Sequence, residues 1–312
     1  MSTPAQDFWN GVPEEILAHI FSYLPFEDRH MAFKVCQRWA KAISVHYVWK
    51  FTEISTEDMS EPCMQKQLQP FLFHMKHLKI VLDPYLGVCP RNFTQILNML
   101  TWQSHEVQAL CIVVVCCGEG LFFSSCPDIL QSFRRLCDNP HKIDLQYLDL
   151  RETPFTLDNR LVRLIATSSP NLHTLLIHNH PVRIITLRPE TIAEVLRVCP
   201  KLSALGVYYA MLSEEVFREL LKPSRGPSRF LDIFCEDMHH YIPERLWFAL
   251  TERHSQLRVG LEFAPLVPVW RTYRILTPSI PVTDLQFSCR TYMVPQLRFV
   301  LQQDFGEAGL FF

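Results

Sequence analysis

A short leucine motif that recurs through the middle of the chain constrains the fold more than any other feature. The pattern Leu-x-x-Leu-x, closed by Leu, Ile or Val, occupies residues 145–150, 172–177 and 202–207. Its copies begin 27 and 30 residues apart. Such a period indicates stacked units, because one short strand and one helix cannot bury their own apolar edge. Weaker copies of the motif have their middle leucine at Leu78, Leu110, Leu231, Leu261 and Leu285.

The segments between these motifs have helical patterns. Pro170 and Pro200 follow two of them and stop the helix before the next strand. Strands that alternate with helices pair in parallel, through crossovers of the usual right hand. We therefore predict an irregular leucine-rich-repeat α/β solenoid with a parallel sheet over residues 71–312. The predicted helices cover residues 157–168, 189–198, 213–222 and 243–254.

A separate helical region lies near the N-terminus. Pro13 suits the first turn of a helix, and the two glutamates after it complement the positive end of the helix dipole. Pro25 ends this helix, and residues 28–43 predict another with a similar apolar stripe. About 45 residues enclose little interior, so the stripe packs either on the rest of the chain or on a partner. The first stripe consists of Ile16, Leu17, Ile20, Phe21 and Leu24.

The region carries five short patterns: V-P-x-E-I-L at 12–17, I-F-S-Y-L at 20–24, D-R at 28–29, V-C-x-x-W at 35–39 and Trp49. In order and spacing they resemble an F-box, with valine at the first position where the family usually has leucine. The resemblance implies a three-helix module that binds the Skp-type adaptor of a cullin–RING ubiquitin ligase. We assign the module to residues 8–51 and a linker to the acidic segment that follows, residues 52–70. The implied adaptor-facing residues are Val12, Pro13, Ile16, Leu17, Ile20, Phe21, Val35, Cys36, Trp39 and Trp49.

An F-box followed by leucine-rich repeats resembles the F-box/leucine-rich-repeat family. Residues 155–158, 199–200 and 275–282 are similar to one branch of that family. The resemblance implies a non-catalytic subunit that recruits a target protein for ubiquitination and proteasomal degradation, with the cullin and RING subunit reached through the adaptor. The alternatives are a binding scaffold that uses the adaptor without a ligase role, and an enzyme with its own active site.

A target has an expected place in such a solenoid. Side chains that alternate with the strand leucines line the concave face of the sheet. Exposed tyrosine, phenylalanine and arginine are favoured at binding hot spots. The alternative is that loops cover some of these side chains. The predicted target-binding residues are Tyr147, Asp149, Arg151, His178, Tyr208, Phe230, Asp232 and Phe234.

Composition and motifs argue against other classes of function. Thirty basic and 32 acidic residues leave no excess of positive charge for nucleic acid. Phosphate-binding loops need glycine, and the chain has nine glycines and no glycine-rich nucleotide motif. We predict no cofactor and no metal, and we interpret the histidines between 173 and 180 as ordinary surface or partly buried residues.

The cysteines and apolar runs indicate the compartment. The N-terminus lacks the pattern of a secretory signal, so we expect the 11 cysteines to be reduced and most of them to be small core residues. We place the protein in the cytoplasm, with the nucleus as a second compartment. The apolar run 109–117 is too short for a membrane helix, which needs about 20 residues. We interpret it as a buried strand and expect no membrane contact.

Overall fold

The fold is known from a computed structural model, and its described residues form two compact units. Unit 1 takes in the described residues up to Leu145 together with 152–155. Unit 2 takes in 146–151 and the described residues from Thr156 onward. The structure describes residues 9, 11–56, 66–82, 89–102, 106–114, 127–139, 143–153, 155–179, 186–236, 240–264, 267, 269–287 and 297–300.

Unit 1 begins with a group of short helices, which we call the helical module. Pro13 and Pro25 directly precede the first two helices, as the sequence predicts. The single helix predicted over 28–43 is two helices in the structure. Cys36 separates them, because its backbone is extended and its Sγ accepts a hydrogen bond from the Trp39 amide at the start of the second helix. The helices of the module are α1 (Glu14–Ser22), α2 (Phe26–Phe33), α3 (Gln37–Ile43) and α4 (His46–Trp49).

The core of the helical module is built around Trp49. Its ring is fully buried and lies stacked on Phe71, with 4.0 Å between ring centroids. Its indole Nε1 donates to the Ile43 carbonyl at 2.7 Å, so the polar end of the ring is satisfied. Leu17 and Phe21 are buried in the same module. The module therefore has a complete interior.

Arg29 fixes the end of the module to the first strand. Its buried guanidinium donates to the carbonyls of Ser22 and Leu24 at 2.9 and 2.8 Å, and to those of Val48 and Phe51 at 2.7 and 3.1 Å. Burial lowers the pKa of Arg29 to about 10. The guanidinium satisfies helix-end carbonyls that would otherwise lose their hydrogen bonds inside the protein.

Unit 1 continues as parallel strands β1 (Phe51–Ser55), β2 (His77–Leu82) and β3 (Ala109–Val114), paired in that order. Helices α5 (Cys89–Trp102) and α6 (Pro127–Cys137) pack against each other. Of the buried strand predicted over 109–117, the strand is confirmed for residues 109–114 and its burial for residues 109–112, and residues 115–117 lie outside the described residues.

The predicted linker over 52–70 needs correction, because part of it belongs to the fold of unit 1. Residues 51–55 form β1, in which Ile54 is fully buried. Glu53 is an outward-facing strand residue, paired with Lys79 at 3.2 Å. Leu68 is also fully buried. The sequence of β1, FTEIS, does not alternate polar with apolar residues although its burial alternates, so the acidic composition around it suggested a linker.

Unit 2 repeats a strand followed by a helix. Strands β4 (Tyr147–Asp149), β5 (Thr174–Leu176), β6 (Ala204–Tyr208), β7 (Phe230–Cys235), β8 (Arg258–Phe263) and β9 (Val282–Phe287) pair in parallel in chain order. Strand β10 (Leu297–Val300) pairs with β9 in antiparallel orientation. The helices between the parallel strands are α7 (Asn159–Ser168), α8 (Pro189–Val198), α9 (Glu214–Leu220), α10 (Glu244–Arg253) and α11 (Val269–Ile275).

The helices of unit 2 begin where their capping residues predict. The Asp158 side chain accepts from the Leu161 amide at 2.7 Å, and the Ser213 side chain accepts from the Val216 amide at 3.3 Å. Pro189 occupies the first turn of α8. These contacts satisfy amides that have no partner within the helix. No helix within the described ranges is long and apolar enough to cross a membrane.

The recurring leucines occupy one register position in unit 2. Leu148, Leu175, Leu205 and Leu231 are paired neighbours on successive strands, and all are buried. The sequence predicts Leu261 as the next member of this row, but the residue that pairs with Leu231 is Val259. The shift is two residues, which keeps the same face of the strand. Val259 and Leu261 therefore lie on the same buried face of β8.

Candidate functional site

The helical module keeps a set of apolar side chains exposed although its own interior is complete. Ile16 on α1 is 50% exposed, and Val35, in the turn before α3, is 61% exposed. Pro13, Ile20 and Cys36 are also exposed. Such a concentration of apolar surface on a small module indicates a protein-binding surface. We call the following residues the module face: Val12, Pro13, Ile16, Ile20, Val35, Cys36 and Trp39.

Three of the ten predicted adaptor-facing residues lie inside the module. Leu17, Phe21 and Trp49 have at most 2% of their surface exposed. They hold the helices in place beneath the module face and do not form part of it. The sequence pattern could not separate the two groups, because positions i and i+1 of a broad stripe straddle the edge of a buried surface.

Polar contacts fix the edges of the module face. Lys41 on α3 pairs with Glu14 on α1 at 2.9 Å. The Arg38 guanidinium donates to the Val12 carbonyl and, at 3.1 Å, to the Trp9 carbonyl. The Trp9 and Trp39 rings meet edge to face at 5.7 Å. The backbone that leads into α1 is thereby attached to α3.

Two exposed residues of the helical module lie outside the predicted adaptor-facing set. Met31 is 62% exposed on α2, and Tyr23 is exposed at the end of α1. Met31 precedes Val35 by four residues, and Tyr23 follows Ile20 by three, so each could have been recognised by helical spacing. Adaptable methionine and rigid tyrosine side chains are both common at binding surfaces.

Unit 2 holds a second cluster, on the side of the sheet opposite the leucine row. Arg151 donates to Asp149 through its Nε and Nη2 atoms at 2.7–3.2 Å and, through Nη1, to Asp232 Oδ2 at 3.2 Å. His178 Nε2 lies 3.3 Å from the same Asp232 oxygen. Burial by itself lowers the pKa of Arg151, but the hydrogen bond and negative charge of Asp149, together with the charge of Asp232, raise it. The guanidinium therefore stays charged between the two carboxylates.

The other predicted target-binding residues divide into two groups. Tyr147 and Phe230 are half-buried at the start of their strands, as are Arg151 and Asp232 further along. Tyr208 and Phe234 are buried and pack edge to face at 6.0 Å, and the Tyr208 hydroxyl donates to the Asn179 carbonyl at 2.7 Å. Asp149 and His178 are buried as well. The partly exposed group can contact a partner directly, and the buried group supports it.

Gly206 makes room for the His178 ring. A Cβ at residue 206 would lie 2.7 Å from two atoms of that ring and 2.8 Å from Leu176 Cδ2. His178 and Leu176 are both buried, so neither can move aside easily.

We expect Gly206→Ala to lower the free energy of unfolding by about 1–3 kcal/mol, as overpacking of a full interior does. Denaturant titration measures the change. Gly226→Ala is the matched control, because nothing lies within 4 Å of its Cβ position. Equal stabilities of the two variants would contradict the packing of His178 over Gly206.

In the described part of the chain, no three His, Cys, Asp or Glu side chains are placed to hold a metal ion. Burial raises the pKa of the Cys235 thiol, and the charges of Glu262 and Asp232 raise it further. A buried thiol of this kind is a poor nucleophile. Cys116, Cys117 and His180 lie outside the described residues.

Comparison with known proteins extends these observations. An F-box-like family model matches residues 9–53. F-box/LRR-repeat protein 8 of Homo sapiens is 34% identical over 293 residues, which cover 93% of this chain and 77% of that protein. The Bos taurus protein of the same name is 35% identical over 292 residues, which cover 92% of this chain and 77% of that protein. F-box/LRR-repeat protein 12 of Homo sapiens is 26% identical over 106 residues, 33% of this chain and 32% of that protein.

Proposed function

This chain belongs to the F-box/leucine-rich-repeat family, and from that membership we propose that it is the substrate-recognition subunit of a Skp–cullin–F-box ubiquitin ligase. The helical module binds the Skp-type adaptor, and the cullin and RING subunit join through the adaptor. Unit 2 binds a target protein, which is ubiquitinated and passed to the proteasome. We place this activity in the cytoplasm, with the nucleus as a second compartment.

The observation that supports adaptor binding is the exposure of Ile16, Ile20 and Val35 on a module that is already fully packed. When a partner covers an exposed apolar surface of this kind, the free energy falls, because apolar area is removed from water. The residues belong to the segment that the F-box-like family model matches. The module face is therefore the adaptor-binding surface in this proposal.

The chain itself need not carry out a reaction in this mechanism. The RING subunit and its conjugating enzyme supply the ubiquitin chemistry. The chain raises the effective concentration of target lysines near the charged conjugating enzyme, because both are held in one complex. The chain contributes by holding the target near the conjugating enzyme, and its own residues bind the adaptor and the target.

Co-precipitation of the full-length chain from cells tests this proposal. We expect the chain to retain both the Skp-type adaptor and the cullin. Retention of the adaptor without the cullin would favour a scaffold that uses the adaptor outside a ligase. Failure to retain the adaptor would overturn the proposal, and turnover by the purified chain alone would favour an enzyme.

A further inference from the structure

Positive charge is concentrated in unit 2 at the edge of the sheet where β7 and β8 begin. Residues 222–229 include three basic residues and residues 253–258 include two arginines, and neither segment contains an acid. The chain as a whole has 30 basic and 32 acidic residues, so the positive charge is local to this edge. We call the following residues the basic edge: Lys222, Arg225, Arg229, Arg253 and Arg258.

Hydrogen bonds hold the two basic segments against each other. The Arg258 amide donates to the Arg229 carbonyl at 2.9 Å, where β8 begins beside β7. Arg253, at the end of α10, donates through Nη2 to the Lys222 carbonyl at 2.8 Å. The four residues are thus brought together although about 30 residues of sequence separate the two segments.

The positive charge of the basic edge acts on a buried histidine. His254 accepts a hydrogen bond from the Ser228 amide through Nδ1 at 3.2 Å, and its Nε2 lies 3.1 Å from the Leu220 carbonyl oxygen. Burial lowers the pKa of His254, the hydrogen bond with Leu220 raises it, and the charges of Arg253 and Arg225 lower it further. The electrostatic potential at this edge is therefore positive.

Arg225 attaches the loop 222–229 to the end of the preceding repeat. Its guanidinium, in a residue that is only 8% exposed, donates to the carbonyls of Leu196, of Cys199 at 3.3 Å and of Leu202 at 3.0 Å. Within the described ranges its buried Nε has no acceptor. Two prolines also restrict the backbone of this loop. The loop is therefore preorganised, which lowers the entropy cost of binding a partner.

Nearby acids and helix ends account for only part of the basic edge. Glu219 pairs with Lys222 at 2.6 Å, and Glu252 is exposed on α10. Basic residues near the ends of α9 and α10 complement the negative ends of the helix dipoles. Arg229 and Arg258 lie instead at the starts of strands, and both are exposed. In the part of the chain that the structure describes, the Arg229 side chain forms no ion pair.

We propose that the basic edge of unit 2 binds an acidic segment of the target protein, whose aspartate or glutamate carboxylates pair with Arg229 and Arg258. The planar guanidinium groups suit carboxylates, because two parallel hydrogen bonds form with each. Phe230 is half-buried and pairs in register with Arg258, so it offers an apolar contact beside the charges. This inference rests on the proposed function and names the chemistry that its target presents.

A peptide segment fits the basic edge better than nucleic acid does. Acids outnumber bases over the whole chain, so a long polyanion would be repelled by the surface around the basic edge. A short acidic segment meets only the local positive charge. Complementary charge of this kind gives specificity and speeds association.

Fluorescence anisotropy on the full-length chain tests the proposal, with labelled nonapeptides of glutamate or lysine and a labelled nonanucleotide of thymidine. We expect the glutamate peptide to bind most tightly and the lysine peptide not to bind. Arg229→Gln and Arg258→Gln should each weaken glutamate-peptide binding about threefold, as loss of an exposed ion pair does. The double variant should weaken it about tenfold.

Arg160→Gln is the matched control, because it removes the same charge from an exposed arginine on α7, between β4 and β5. Its affinity should stay within about 1.5-fold of the unchanged chain. The proposal is overturned if the glutamate peptide does not bind, or if the double variant, shown to be folded by circular dichroism, binds it as the unchanged chain does.

Two further outcomes would also overturn the proposal. An equal loss for Arg160→Gln and Arg229→Gln would show attraction by net charge only. Tighter binding of the thymidine strand than of the glutamate peptide would indicate a nucleic-acid surface. Adaptor capture measured on the same preparations depends on the module face, so its failure is a separate result that concerns the proposed function.

Discussion

Replacing Ile16 with aspartate is expected to lower the affinity for the Skp-type adaptor at least about 30-fold while the chain stays folded. Ile16 is 50% exposed and lies in the first turn of α1, where a carboxylate is well tolerated near the positive end of the helix dipole. In the complex the same carboxylate would be buried without a partner. Loss of a central interface contact costs about 2–4 kcal/mol, which corresponds to this fold-change or more.

Phe248→Asp is the matched control for this prediction. Phe248 is 64% exposed on α10 in unit 2, so the same type of change is made on a different surface. We expect adaptor affinity to remain unchanged, as measured by calorimetry or biolayer interferometry with purified adaptor. Equal affinities for Ile16→Asp and the unchanged chain would contradict the assignment of the module face.

Replacing Trp49 with alanine is expected to lower the free energy of unfolding by about 3–5 kcal/mol, as large truncations in a protein core do. Trp49 is fully buried, stacks on Phe71 and bonds the Ile43 carbonyl. Because whole domains are stable by only about 5–15 kcal/mol, this loss removes a large share of the stability of unit 1. Adaptor binding should weaken to the extent that the module unfolds.

Trp102→Ala separates this effect from a general loss of tryptophan. Trp102 is 84% exposed at the end of α5, and its removal should change stability by less than about 0.5 kcal/mol. Urea titration followed by circular dichroism measures both variants. A Trp49→Ala chain as stable as the Trp102→Ala chain, but unable to bind the adaptor, would mean that Trp49 contacts the adaptor directly.

The fold was predictable where the sequence repeats its apolar pattern. The leucines at 148, 175 and 205 lie side by side because strands that share a buried face must share a register. The helix starts at Ser213 and Pro189 were predictable from local chemistry. Strand β1 was not, because its five residues, FTEIS, stand at the start of an acidic segment and look like a connection until their pairing with β2 is known.

The candidate site was predictable in composition but not in burial. Leu17 and Ile16 are adjacent in one stripe, yet one is fully buried and the other half exposed, which depends on how α1 packs against α3. On the side of the sheet opposite the leucine row, the sequence predicted Arg151 and Asp232 as target-binding residues but did not indicate that they contact each other. Their contact spans 81 residues of sequence and depends on the order of the strands between them.

The central claim, that target ubiquitination depends on the module face, can be tested by one comparison in cells. The chain and its Ile16→Asp variant are each fused to a proximity-labelling enzyme, the proteasome is blocked, and ubiquitin remnants are quantified on the labelled proteins. We predict that both forms label the same targets and that ubiquitin on those targets falls strongly for Ile16→Asp. Equal ubiquitination of the shared targets by both forms would contradict the claim.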